Sequence, residues 1–223
     1  LESYLDTKII STARLPEAIY RIGNAELLSG KSSAAAVTLG KLFSGEFATD
    51  SINKTLLAKA RFDMATIKQD EFEAINIVQP FEESLKKKQE LMGTLLNDYS
   101  YVIKTRVGEL IPKSFFQIGL IFENFREKLL KSERPNDLNT EELDEYNFLL
   151  EEQAFPIEDE SIKYFENAFK ASLARVDVEL FQKSVDKLST LRPALYKRSF
   201  AGGGKSDLIF ITPKPVELNI FFK

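Results

Sequence analysis

Residues 112–129 read PKSFFQIGLIFENFREKL. Phe115, Ile118, Gly119, Phe122, Phe125 and Leu129 recur there at three- and four-residue spacing, the period at which an α-helix lays one apolar stripe against a core. An aromatic stripe at this spacing is the pattern of core packing rather than of a ligand box. Pro112 near the start fits a first helical turn, where its missing N–H costs nothing.

The same period extends in both directions, and only 10 Gly and 8 Pro punctuate the 223 residues. Upstream, Phe81 to about Tyr101 reads as a long charged helix with Leu85, Leu91, Leu95 and Tyr99 on its apolar side. Lys86, Lys87 and Lys88 are expected on its solvated side. A short helix is expected from Phe72 to Val78, ending before Pro80. Asp50 or Ser51 is placed to cap a helix through Ile52, Leu56, Ala60 and Met64. Nearer the N-terminus, Pro16 opens a helix at about Leu15 whose Ile19, Ile22 and Leu27 share a face before Gly30 ends it. A shorter partner comes next, through Ala35, Leu39 and Leu42.

Downstream, Asn139 with Glu142 three residues on forms a capping-box pattern. The helix it opens is expected to continue to Ala154 and to break or kink at Pro156, which lacks a donor and crowds the preceding turn. A second segment then runs through Ile162, Phe165 and Phe169, and a last helix spans about Val178 to Leu191 before Pro193. The fold class is therefore all-α, built of helix pairs with short connections. Ile19, Ile22, Gly23, Ala35 and Leu39 fall at the spacing of the 34-residue tetratricopeptide pattern, although Glu26 replaces its aromatic and the next unit does not repeat cleanly. A helix-pair, tetratricopeptide-like solenoid or α-α superhelix is expected over residues 1–198, with a Gly-rich linker and apolar tail over 199–223.

Chemistry is constrained by what is missing, since the chain has no His and no Cys. Histidine triads, cysteine nucleophiles and the usual zinc, haem and iron–sulfur sites are excluded. Gly202-Gly203-Gly204-Lys205-Ser206 looks like the end of a phosphate-binding loop but has Ser199 where the first Gly belongs, and Pro213 and Pro215 prevent a helix from starting after it. Asp137 to Glu145 resembles a calcium loop but has Glu142 at the turn-making Gly position. No cofactor, metal or catalytic residue is assigned. A carboxylate pair such as Glu151 and Asp159 is the remaining hydrolytic option, with no spacing that singles it out.

The formal charge of −4 gives no footprint for a nucleic-acid backbone. No apolar run reaches the length of a membrane-spanning helix. The chain starts at Leu1 without an initiator Met or signal sequence, and is read as a piece of a longer protein. Between Glu133 and Glu166 twelve Asp or Glu face two basic residues, a local charge of −10 that leaves the rest net positive by six. Glu141, Glu142, Asp144, Glu145, Glu151 and Glu152 form the candidate docking strip for a basic partner; a solvated helix face is the plainer reading. In the tail, Ile209, Ile211, Ile220 and Phe222 lie in two β-prone runs that need a surface, either as a cap on the chain's own solenoid or by pairing with another chain, a route to homo-oligomers.

Lys86-Lys87-Lys88 to Tyr99, Ile118-Gly119-Leu120-Ile121-Phe122-Glu123-Asn124-Phe125, and Leu138 to Tyr146 together resemble a stretch of bacterial tetratricopeptide-repeat proteins of the cell envelope, a group that includes gliding-motility-associated proteins. Leu149 to Glu158 is similar to the C-terminal ending of those proteins, together with Ile162, Glu166-Asn167, Ser184, Leu188, Leu191, Pro193 and Tyr196. The resemblance covers about Ala58 to Arg198; Glu151-Glu152-Gln153-Ala154-Phe155-Pro156 is its most specific element, and Phe181 stands where a Trp is expected. It implies a periplasmic or outer-membrane-associated scaffold that engages protein partners without catalysis of its own. The alternative is a helical small-ligand-binding protein or a carboxylate-dependent hydrolase.

Overall fold

The computed structural model describes residues 14–44 and 54–196. The described residues are all-helical: α1 Leu15–Leu28, α2 Ser32–Gly40 with a 3-10 turn Lys41–Phe43, α3 Lys54–Ala74, α4 Phe81–Lys104, α5 Leu110–Leu130, α6 Thr140–Leu173, α7 Val178–Leu191 and α8 Pro193–Tyr196. None of these helices is long and apolar enough to cross a membrane. The expected cap at Asp50 or Ser51, Ile52, and the whole 199–223 tail lie outside the described residues.

Local chemistry sets most of the ends. Pro16 sits in the first turn of α1. Gly30, at φ +78°, closes that helix, with Lys31 N–H donating to Glu26 O at 2.9 Å and Gly30 N–H to Leu27 O at 3.0 Å. The capping box of α6 forms as expected: Glu142 N–H donates to Asn139 Oδ1 at 3.1 Å, and Asn139 N–H to Glu142 Oε2 at 2.9 Å. Asp177 Oδ1 accepts from Leu180 N–H at 3.1 Å to start α7.

Packing keeps to chain order. Each long helix lies antiparallel against the next. Leu129 clusters with Leu150 and Ala154, Arg126 pairs with Glu158, Gly119 O accepts from Ser161 Oγ, and Phe116 packs on Phe165, so α5 descends as α6 rises. Ala58 with Val102, Phe62 with Tyr99 and Phe72 with Lys88 set the same sense for α3 and α4. Helices two apart also touch, in parallel. Ile19 meets Leu57 and Ala60 while Asn24 meets Asp63 across α1 and α3; Lys59 meets Glu109 while Gln69 meets Gln117 across α3 and α5. Two helical glycines allow close approaches between helices: a Cβ on Gly23 would stand 2.6 Å from Leu39, and one on Gly119 2.7 Å from the Phe165 ring.

Three expectations are corrected. No separate helix spans Phe72–Val78: Phe72 belongs to the last turn of α3, and residues 75–80 cross over to α4 with Ile77 buried. The turn is held instead by Ser84 Oγ, which donates to Val78 O at 2.6 Å, and by Glu133, whose N–H donates to Ile77 O at 3.0 Å. Lys88 is not on the surface; only Lys86 and Lys87 are exposed. Its ammonium is wholly buried, donating to Phe72 O at 2.7 Å, Ile75 O at 3.1 Å and Asn124 Oδ1 at 2.9 Å, and stands 3.8 Å from the Phe72 ring centroid. It joins the Ile75 N–H on Phe72 O and serves Ile75 O just past the end of α3, where a cation suits the helix dipole. Finally, of the break or kink expected at Pro156 the break is absent, and α6 runs on for 34 residues. Pro156 and Glu152, whose carbonyl it leaves without an intrahelical donor, both lie on the exposed side, where water supplies the missing bond.

Candidate functional site

α6 is much longer than the helices beside it, and the excess decides which of its surfaces is covered. Leu150 and Ala154 pack with Leu129 at the end of α5 and with Ile77, while Tyr146 and Asn147, nearer the start of α6, meet Arg134 past that end. On the other side α7, only 14 residues long, reaches from Phe169 back to Asp159. Among the described residues, the first four turns of α6 therefore keep one face bare.

Glu141, Glu142, Asp144, Glu145, Glu151 and Glu152 are all exposed on those turns. At 100° per residue, Glu141, Asp144, Glu145, Glu151 and Glu152 cluster on one side. Glu142 spends its side chain on the capping box. Among the described residues none of these six forms an ion pair, whereas Glu158 and Asp159, just beyond, are held by Arg126 at 2.6 Å and Arg192 at 3.0 Å. The tail residues Ile209, Ile211, Ile220 and Phe222 lie outside the described residues.

Sequence reasoning missed the apolar members of this face. Phe148 is 58% exposed, Leu149 50% and Phe155 66%. Phe148, Phe155, Ile162 and Phe169 are spaced seven apart along one line of α6. α7 covers the second pair, with Ile162 buried beside Leu188 and Phe169 against Phe181 at 5.0 Å between ring centroids. The first pair is open. The seven-residue repeat was readable, but the length of α7 was needed to know where its cover stops.

Elsewhere among the described residues there is little convergent chemistry. A cavity of about 310 Å³ where α5, α6 and α7 meet is lined by Glu123, Arg126, Glu127, Glu158 and Lys187 together with Ser161 and Leu191. Its charges are mutually paired, Arg126 to Glu158 at 2.6 Å and Lys187 to Glu123 at 2.5 Å, and Glu127 is drawn below the usual carboxylate range by a hydrogen bond from Lys131. Burial raises the Asp63 carboxyl, although it accepts hydrogen bonds from Asn24 and Tyr20; burial likewise raises the Tyr20 phenol. Asp98 is buried and accepts from Arg61 at 2.9 Å and Lys68 at 3.0 Å, with the Arg61 guanidinium between the rings of Phe43 and Tyr101. These are ties between helices. Among the described residues no group of three or more carboxylates is arranged to hold a metal ion.

Compared with known proteins, the chain matches no family model, no curated protein and no solved structure.

Proposed function

We propose that the chain is a tetratricopeptide-like helix-pair solenoid that acts as a protein–protein interaction scaffold of a bacterial cell envelope, without catalysis of its own. The observation that carries this reading is the order of packing: each helix antiparallel to the next and, across α1, α3 and α5, parallel to the one after. That is the contact scheme of stacked helix pairs, in which every repeat rests only on its neighbours and large faces stay available to partners. The bare acidic and aromatic face of α6 gives the reading a place to act, because large exposed apolar side chains in a cluster mark interaction surfaces. The envelope assignment rests on the resemblance of Leu149 to Glu158 and its flanking strings.

Affinity capture with chemical cross-linking from bacterial envelope extracts, run beside a metabolite screen by thermal shift, tests the proposal. Reproducible protein partners and no stabilising metabolite are expected. Tight binding or turnover of a small molecule, with no protein captured, contradicts it.

A further inference from the structure

The line Phe148, Phe155, Ile162, Phe169 shows on its own covered half what it accepts. α7 sits there as an amphipathic helix with Phe181, Ser184, Leu188 and Leu191 inward, and it brings base to acid: Lys187 to Glu123 and Arg192 to Asp159. Past Arg192 the described chain, to Tyr196, does not continue along the line. α8 turns back, and the Tyr196 hydroxyl donates to Glu166 Oε1 at 3.0 Å. Among the described residues the groove that α7 occupies thus runs on, uncovered, across Phe155 and Phe148.

We propose that this open half seats a basic amphipathic helix of a partner protein, extending the seam of α7 across Phe148 and Phe155. The inference rests on the scaffold reading and names the partner's chemistry. A helix is the form that fits, because apolar residues seven apart repeat about every 10.5 Å along a helix and present matching knobs. A basic helix fits because Glu141, Asp144, Glu145, Glu151 and Glu152 flank the two rings without a paired cation among the described residues. A second copy of the chain would bring the same carboxylates against themselves. Residues 199–223 are a poor match, since Pro213 and Pro215 disfavour a helix joining the two apolar runs and three Lys are nearly balanced by Asp207 and Glu217.

The test is fluorescence anisotropy of the full chain with a labelled peptide copying residues 178–192 but carrying Lys in place of Glu179 and Asp186. A scrambled peptide of identical composition is the control. The variants are Phe148→Ser with Phe155→Ser, Glu145→Lys with Glu152→Lys, and Leu195→Ser, an exposed apolar residue off the line. All are surface changes, and unchanged circular dichroism confirms folding. At least tenfold weaker binding is expected for the scrambled peptide and for the first two variants, with Leu195→Ser unchanged. Equal binding of the scrambled peptide, or indifference to the Phe148 and Phe155 changes, overturns the seat. So does a dimer that Phe148→Ser with Phe155→Ser dissociates, or a tenfold gain in peptide affinity on removing residues 197–223. If those results come while envelope partners are still captured, the seat is wrong and the scaffold reading stands.

Discussion

Replacing Lys88 by Met probes the point at which three helices are tied together. The ammonium is wholly buried and serves two carbonyls of the α3 C-terminus and Asn124 of α5. Met fills a similar volume but leaves Ile75 O and Asn124 Oδ1 without this donor, each costing about 1–3 kcal/mol when buried, and Phe72 O with only the Ile75 N–H at 3.2 Å. Removal of a desolvated charge offsets part of this, so a net loss of about 2–4 kcal/mol is expected at pH 7. The pH dependence carries a second, independent signature. Burial, with a smaller contribution from the Lys128 charge, pushes the Lys88 ammonium down from 10.5 to about 8. Between those values the unfolded chain holds a proton that the folded chain has released, so the wild type gains stability as pH rises through that window. At about 1.4 kcal/mol per pH unit, the gain between pH 8 and pH 9.5 is about 2 kcal/mol. Lys88→Met lacks this gain, so its deficit widens. Urea unfolding of both proteins at pH 7, 8 and 9.5 reads both effects. A variant as stable as the wild type at pH 7, or a deficit that does not grow with pH, refutes the reasoning.

Gly119→Ala drives a methyl to 2.7 Å from the fully buried Phe165 ring. Overpacking exceeds the gain in helix propensity, and a loss of about 1–2 kcal/mol is expected by denaturant titration. Val176 occupies the left-handed position after α6 at φ +57° while 81% exposed, so Val176→Gly relieves strain without losing packing. Its midpoint should rise by the equivalent of about 1 kcal/mol. Pro156→Ala restores a backbone bond inside α6 and should stabilise by about 1–2 kcal/mol, with slower amide exchange near residue 156. No gain, or a loss, would show that the proline ring has a packing role.

Helix period and punctuation made the architecture readable. The starts at Leu15, Phe81 and Val178, the Asn139–Glu142 box and the stripe from Phe115 to Leu129 all appear where local chemistry places them. What was lost depends on distant partners. Lys88 lies on the stripe of Leu85, Leu95 and Tyr99, but its place in a lysine triplet reads as solvated, and its acceptors come from α3 and α5. Phe72 is in phase with Ala65 on the same helix, so the segment Phe72–Val78 needed no start of its own; its end is fixed by Lys88 rather than by Pro80 alone. Pro156 breaks a helix where the orphaned carbonyl is buried, and here it faces water. The docking strip was legible as charge, but nothing in the sequence marks Phe148 and Phe155 as exposed, because only the shortness of α7 exposes them.

The bare face of α6 is tested most directly by placing a photo-activated cross-linking residue at Phe155, with Leu195 as control, in the chain expressed within a bacterial envelope. Illumination should yield discrete cross-links from position 155 to a protein whose linked peptide is a basic amphipathic helix. Absence of cross-links at 155, with abundant ones at 195, would contradict the assignment of this face as the scaffold's working surface.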